Sequence, residues 1–166
     1  MNIILLSGGS GKRLWPLSND IRSKQFIKLF KDDNGNYESM VQRVYRQITT
    51  VNPMVKVTVA TSKNQVSVIK SQLGEKINIC VEPSRRDTFP AILLAAAYIH
   101  YELGIGVEEC IAVCPVDPYV DNDYYKCVGE LENLVEAGTA NLTLMGIKPT
   151  YPRDKYGYII PDSAEK

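Results

Sequence analysis

Histidine is almost missing from this chain: His100 is the one example in 166 residues. A Ser-His-Asp or Cys-His mechanism would have to run through that residue. It closes the apolar run 91–99 and reads instead as a helix-end side chain. Cysteine is sparse as well. Cys80, Cys110, Cys114 and Cys127 form no CxxC pair, and a single histidine completes no zinc-ligand spacing with them. Free thiols, buried or half-buried in a reducing compartment, are the expectation. No apolar run approaches the ~18–20 residues that span a bilayer. The opening residues have no basic n-region and an apolar run of four, so they read as a strand entering a turn and not as a signal peptide. Charge of one sign is lacking too: 19 Lys and Arg balance 19 Asp and Glu, with a pI of about 6.6. Nucleic-acid binders and polybasic membrane proteins normally carry a basic excess. The expectation is a cytoplasmic protein with neither nucleic acid nor membrane as partner.

What remains is ordinary globular material, 45% hydrophobic and 23% charged, enough for one domain over residues 1–166. The zero net charge hides an asymmetry. Residues 1–31 sum to +5, and residues 102–136 sum to −8. Short aliphatic runs at 3–6, 55–60, 77–81, 110–114 and 142–145 suit central strands of a parallel sheet. Between them, 39–48, 63–73, 87–103 and 121–137 are long enough for helices, with Ser39 a candidate N-cap. The third of these is apolar nearly all round and is expected to be deeply packed. This β-α alternation predicts an α/β domain, its mostly parallel sheet covered by helices on both faces. Residues 157–160 begin another strand-like segment just before the end of the sequence, so the domain is expected to be incomplete at its C-terminus.

Four stretches carry residues suited to chemistry. The first follows the first strand directly: Gly8-Gly9-Ser10-Gly11-Lys12-Arg13. Glycines let backbone amides approach phosphate oxygens closely, and the two cations add charge. It is not a P-loop, which would need glycine at Leu6 and Ser or Thr at Arg13. It is not the dinucleotide fingerprint either, which would need glycine at Leu14. A plain glycine turn stays open on these residues alone. The second stretch, Arg22-Ser23-Lys24-Gln25-Phe26, is close enough in sequence to fold over that turn. The third, residues 81–91, leads from a strand end at Glu82 to a helix capped by Asp87 or Thr88, with Pro90 in its first turn. The fourth places Asp117 just past a strand, where a carboxylate can hold Mg²⁺ or simply end a turn.

Taken together, these stretches resemble the sugar-nucleotidyltransferases, in the form found in the mannose-1-phosphate guanylyltransferase branch. Residues 8–17 match Gly-Gly-x-Gly-x-Arg-Leu-x-Pro-Leu. Residues 23–26 match Pro-Lys-Gln-Phe apart from the proline. Residues 82–92 largely match Glu-Pro-x-x-Arg-Asn-Thr-x-Pro-Ala-Ile. Residues 115–117 match Pro-x-Asp, and 146–159 match Gly-Ile-x-Pro-Thr-x-Pro-x-x-x-Tyr-Gly-Tyr-Ile. The departures are Lys12 for Thr, Ser23 for Pro, Asp87 for Asn, and Val116 and Pro118 around the metal aspartate.

The resemblance implies a Rossmann-like nucleotidyltransferase domain that transfers GMP from GTP to mannose 1-phosphate, giving GDP-mannose and diphosphate. It implies that Leu6, Gly8, Gly9, Gly11 and Lys12 surround the nucleotide and that Arg13 and Lys24 neutralise the triphosphate. Glu82, Arg86, Asp87 and Thr88 would border the base, Asp117 would bind Mg²⁺, and Tyr156 and Gly157 would line the sugar side. Independently of the resemblance, an incomplete sheet would leave an unpaired edge and apolar surface, so a homo-oligomer is also expected. Two alternatives stay open: an inactive nucleotide-binding or regulatory subunit, and a related transferase using another nucleoside triphosphate.

Overall fold

The computed structural model describes residues 1–9, 16–18, 23–154 and 157–160. In chain order the elements are β1 (Asn2–Leu6), β2 (Lys28–Lys31), β3 (Tyr37–Ser39), α1 (Met40–Val51), β4 (Lys56–Ser62), α2 (Val66–Leu73), β5 (Asn78–Glu82), α3 (Thr88–Tyr101), β6 (Ile111–Pro115) and α4 (Asn122–Glu136). Short 3-10 turns occupy Lys24–Phe26 and Lys63–Gln65. Four strands form one parallel sheet in the order β5-β4-β1-β6.

β1 has a hydrogen-bonded neighbour on each side and helices over each face, which is why Ile3, Ile4, Leu5 and Leu6 follow one another without a polar break. Ile3 and Leu5 point to one face with Val57 and Val59. There Val41, Val44 and Ile48 of α1, Ile69 of α2, and Tyr125 and Val128 of α4 cover them. Ile4, Ala60 and Cys80 point to the other face, against Ala95 and Ile99 of α3. The fold is therefore the Rossmann-like α/β arrangement, helices on both faces. Leu5 is fully buried, and its replacement by alanine costs about 2–5 kcal/mol on the scale of such core deletions.

α1 starts in a capping box. Ser39 Oγ accepts from the Gln42 amide at 3.3 Å, and Gln42 Oε1 accepts from the Ser39 amide at 3.1 Å. β2 and β3 form an antiparallel hairpin ahead of it. Its turn is built on Asp32, whose Oδ1 accepts from the Asn34 and Asn36 amides, while Gly35 takes a φ of 83°.

Three expectations need correction. α3 is not deeply packed all round: among the described elements it lies alone on its face of the sheet. Phe89, Leu93 and Tyr101 on its outward side are 72%, 59% and 80% exposed. Residues 142–145 and 157–160 are not strands, and among the described residues no strand follows α4. Leu142, Leu144, Ile159 and Ile160 are exposed. The chain just after the first segment does approach the second, since a Cβ on Gly146 would stand 3.6 Å from Ile159 Cδ1, but among the described residues no strand forms there. An apolar run becomes a strand only when a neighbour takes its backbone hydrogen bonds. All four cysteines are free, as expected, but Cys127 on α4 is exposed. Among the described residues, no helix is long and apolar enough to cross a membrane.

Candidate active site

Parallel pairing brings the carboxyl ends of the strands to one edge, where open α/β sheets bind ligands. Leu6 ends β1 opposite Ala60 and Pro115, and Ser62 pairs with Glu82. Just beyond Leu6, the Ser7 amide continues the ladder by donating to Ala60 O at 2.9 Å. The chain then leaves the sheet through Gly8 and Gly9.

Gly8 lies close against the end of β5. A Cβ there would stand 3.1 Å from Glu82 Oε1, so the Glu82 carboxylate reaches across the end of β4 to the glycine turn. Glu82 is buried at the end of β5. Burial pushes its carboxyl above the ordinary range, against a smaller downward pull from Arg85. The result is a carboxylate without full hydration, with acceptor oxygens beside an open backbone.

Lys24 and Asp117 come from distant parts of the chain and meet at this edge, Nζ to Oδ1 at 2.8 Å. Both side chains are substantially exposed, so the pair stands where a ligand can part it. Gln25 turns the other way. It is buried, and its Nε2 donates to Ser7 O at 2.9 Å, tying the Lys24 turn to the glycine turn. Gln65, at the start of α2, donates to Gly9 O at 3.3 Å and to Ser23 Oγ at 2.7 Å. Ser7 Oγ and Gln25 Oε1 are buried here without a partner among the described residues.

The β5–α3 connection supplies the next group. Asp87 caps α3, its Oδ1 accepting from the Thr88 amide at 2.9 Å and from Thr88 Oγ1 at 3.3 Å. Asp87 rather than Thr88 is therefore the cap, and it holds a φ of 72°. Arg86 is exposed, with Nε donating to Ser84 Oγ at 3.3 Å.

Leu6, Gly8, Gly9, Lys24, Glu82 and Asp117 thus gather at one edge, with Arg86, Asp87 and Thr88 on the loop leaving it. Gly157 is exposed, and none of the described hydrogen bonds or ion pairs joins it to that edge. Gly11, Lys12, Arg13 and Tyr156 lie outside the described residues. Two residues that sequence reasoning gave no role, Gln25 and Gln65, prove central to the geometry. The signal for Gln65 was a polar side chain opening an otherwise amphipathic helix.

A family model described as nucleotidyl transferase matches residues 2–166. A mannose-1-phosphate guanylyltransferase of Escherichia coli is 34% identical over 160 residues, covering 94% of this chain and 33% of the relative. A putative mannose-1-phosphate guanylyltransferase of Vibrio cholerae is 32% identical over 162 residues, with 94% and 33% covered. The solved structure described as a mannose-1-phosphate geranyltransferase from Thermus thermophilus superposes with a TM-score of 0.65 at 28% identity. The match covers 82% of this chain and 38% of that one. The chain spans about a third of the length of the curated relatives it matches. With its parallel sheet and the residues at that sheet's carboxyl edge, the chain belongs to the nucleotidyl transferase family.

Proposed function

We propose that this domain binds GTP with Mg²⁺ in the cytoplasm and holds it for transfer of GMP to mannose 1-phosphate, with release of diphosphate. The observation that carries the reading is the meeting of Lys24 and Asp117 at 2.8 Å, at the strand edge that also holds the glycine turn. A phosphate-binding cation and a metal-binding carboxylate belong together in such chemistry. A sugar-phosphate oxygen attacks the α-phosphorus of GTP, one P–O bond forms, another breaks, and the electron pair leaves with diphosphate. The chain's contribution is position and charge, with no covalent intermediate.

The residues present fit a magnesium site of the usual kind. Mg²⁺ keeps several waters and takes one or two carboxylates together with phosphate oxygens. Asp117 offers one exposed carboxylate, and among the described residues no cluster of three or more metal-ligating side chains exists to form a closed cage. When bound, the ion supplies neutralisation of phosphate charge. With Asp117 on the ion, Lys24 would hold a phosphate oxygen, and the family resemblance gives Arg13 the same task. Glu82 supports guanine over other bases. Its carboxylate accepts only, and guanine offers two adjacent donors, N1–H and N2–H, where uracil offers one.

Thermal shift against GTP, UTP, dTTP and CTP with Mg²⁺ tests the reading. GTP is expected to give the largest shift, and Glu82→Gln to erase its lead over UTP. Asp117→Asn is expected to remove the Mg²⁺-dependent part of the shift. A larger response to UTP or dTTP would assign the site to another nucleotide.

A further inference from the structure

The segment carrying Lys24 is gripped at both ends by α2 and the turn before it. Gln65 is wholly buried, at 0% exposure. Its Oε1 accepts from Thr61 Oγ1 at 2.7 Å, and its Nε2 donates to Ser23 Oγ at 2.7 Å and to Gly9 O at 3.3 Å. The carboxamide can face only this way, because the Gly9 carbonyl needs a donor. The Gln65 side chain thus touches the end of β4, the glycine turn and the loop that presents Lys24. Gln72 lies seven positions later, two helical turns on, and donates to Phe26 O at 2.9 Å, holding the far end of the same loop.

We infer that Gln65 is a positioning residue of the triphosphate site, setting the glycine turn and the Lys24 loop at a fixed separation. The inference rests on reading that edge as the GTP site. Gln65 touches no ligand in this role. It acts through Ser23 on Lys24, and through Gly9 on the backbone amides of the turn. A buried amide with three partners is stiff, because any displacement strands a polar group away from water. Stiffness of this kind lowers the ordering cost when a triphosphate is gripped from two sides.

Amide hydrogen exchange on the whole chain without nucleotide tests this. Gln65→Met is expected to raise exchange by about tenfold at Ser7, Phe26 and Ile27, the amides of the two segments that donate to Ala60 O, Ser23 O and Lys24 O, the effect of losing one net hydrogen bond from local stability. The amides of α3 between 91 and 99 should not change. Ser23→Ala, the milder variant, is expected to loosen 23–27 alone. With Mg²⁺ present, Gln65→Met should then weaken GTP by about tenfold and guanosine by less than about twofold, a split that a general core defect would not produce. Unchanged exchange at both segments would overturn the inference, as would an equal rise in α3. A parent protein that binds no GTP would sink the functional reading and leave the exchange result to decide this one.

Discussion

Asp87 takes a φ of 72°, which among the described residues is otherwise found only at glycines. Such a backbone costs on the order of 1–3 kcal/mol at a side-chain-bearing residue. The cap to Thr88 returns part of that. Asp87→Gly is therefore expected to be more stable than Asp87→Ala by about 1–2 kcal/mol, since both lose the carboxylate but only glycine relaxes the backbone. Equal denaturation midpoints for the two would show that the turn is unstrained. Glu82 gives a second test. Its folded pKa is raised above the ordinary 4.5, so the folded state binds more protons there than the unfolded state does. Its carboxylate therefore weakens the fold as pH rises through and beyond 4.5, and this penalty is absent below that value. Glu82→Gln is expected to stabilise the protein at pH 7, with the gain vanishing as pH falls below 4.5. A gain independent of pH would point to packing instead. At this scale the sequence revealed residue types more readily than contacts. Asp117 and Lys24 stood out as a carboxylate and a cation, but their meeting depends on two loops that are distant in sequence.

At the scale of elements, helices with a local stop or start signal were legible. Ser39 announced α1, and the Asp87–Pro90 region announced α3. Asp32, Asn34 and Gly35 are turn residue types, but the strands that flank them, β2 and β3, are four and three residues long and largely polar, so no apolar pattern marks the hairpin. Residues 142–145 looked like a strand by composition, but a strand is made by its neighbour, and sequence composition says nothing of neighbours. The contact between β1's turn and β5 was equally invisible. Gly8→Ala is expected to fold but to push the Glu82 carboxylate aside by a few tenths of an ångström, the shift needed to relieve a 3.1 Å approach. GTP affinity should fall by about three- to tenfold, the scale of one weakened hydrogen bond. Calorimetric titration reads this, and parental affinity in the folded variant would remove Glu82 from the base pocket.

At the scale of the whole molecule, one face of the sheet has a single helix among the described elements, and β6 stands at the edge. Phe89, Leu93 and Tyr101 recur at multiples of four along α3's outward side, forming an exposed apolar stripe. Stripes of this kind seek cover. The chain is expected to self-associate at concentrations of about 1 mg/ml and above, and Leu93→Lys to shift it toward monomer, since the charge repels its copy and disturbs no core contact. Sedimentation velocity distinguishes the outcomes, and a parent that stays monomeric would show the stripe to be inert.

Residues from four separate strand ends and loops meet at the carboxyl edge of this sheet, and under the proposed function they grip GTP together. Backbone amide shifts of the labelled chain on addition of GTP with Mg²⁺ test it most directly. Perturbations are expected to concentrate at Gly8, Gly9, Lys24, Glu82 and Asp117, with α4 beyond Val128 unmoved. Shifts gathered elsewhere, or none at saturating GTP, would contradict it.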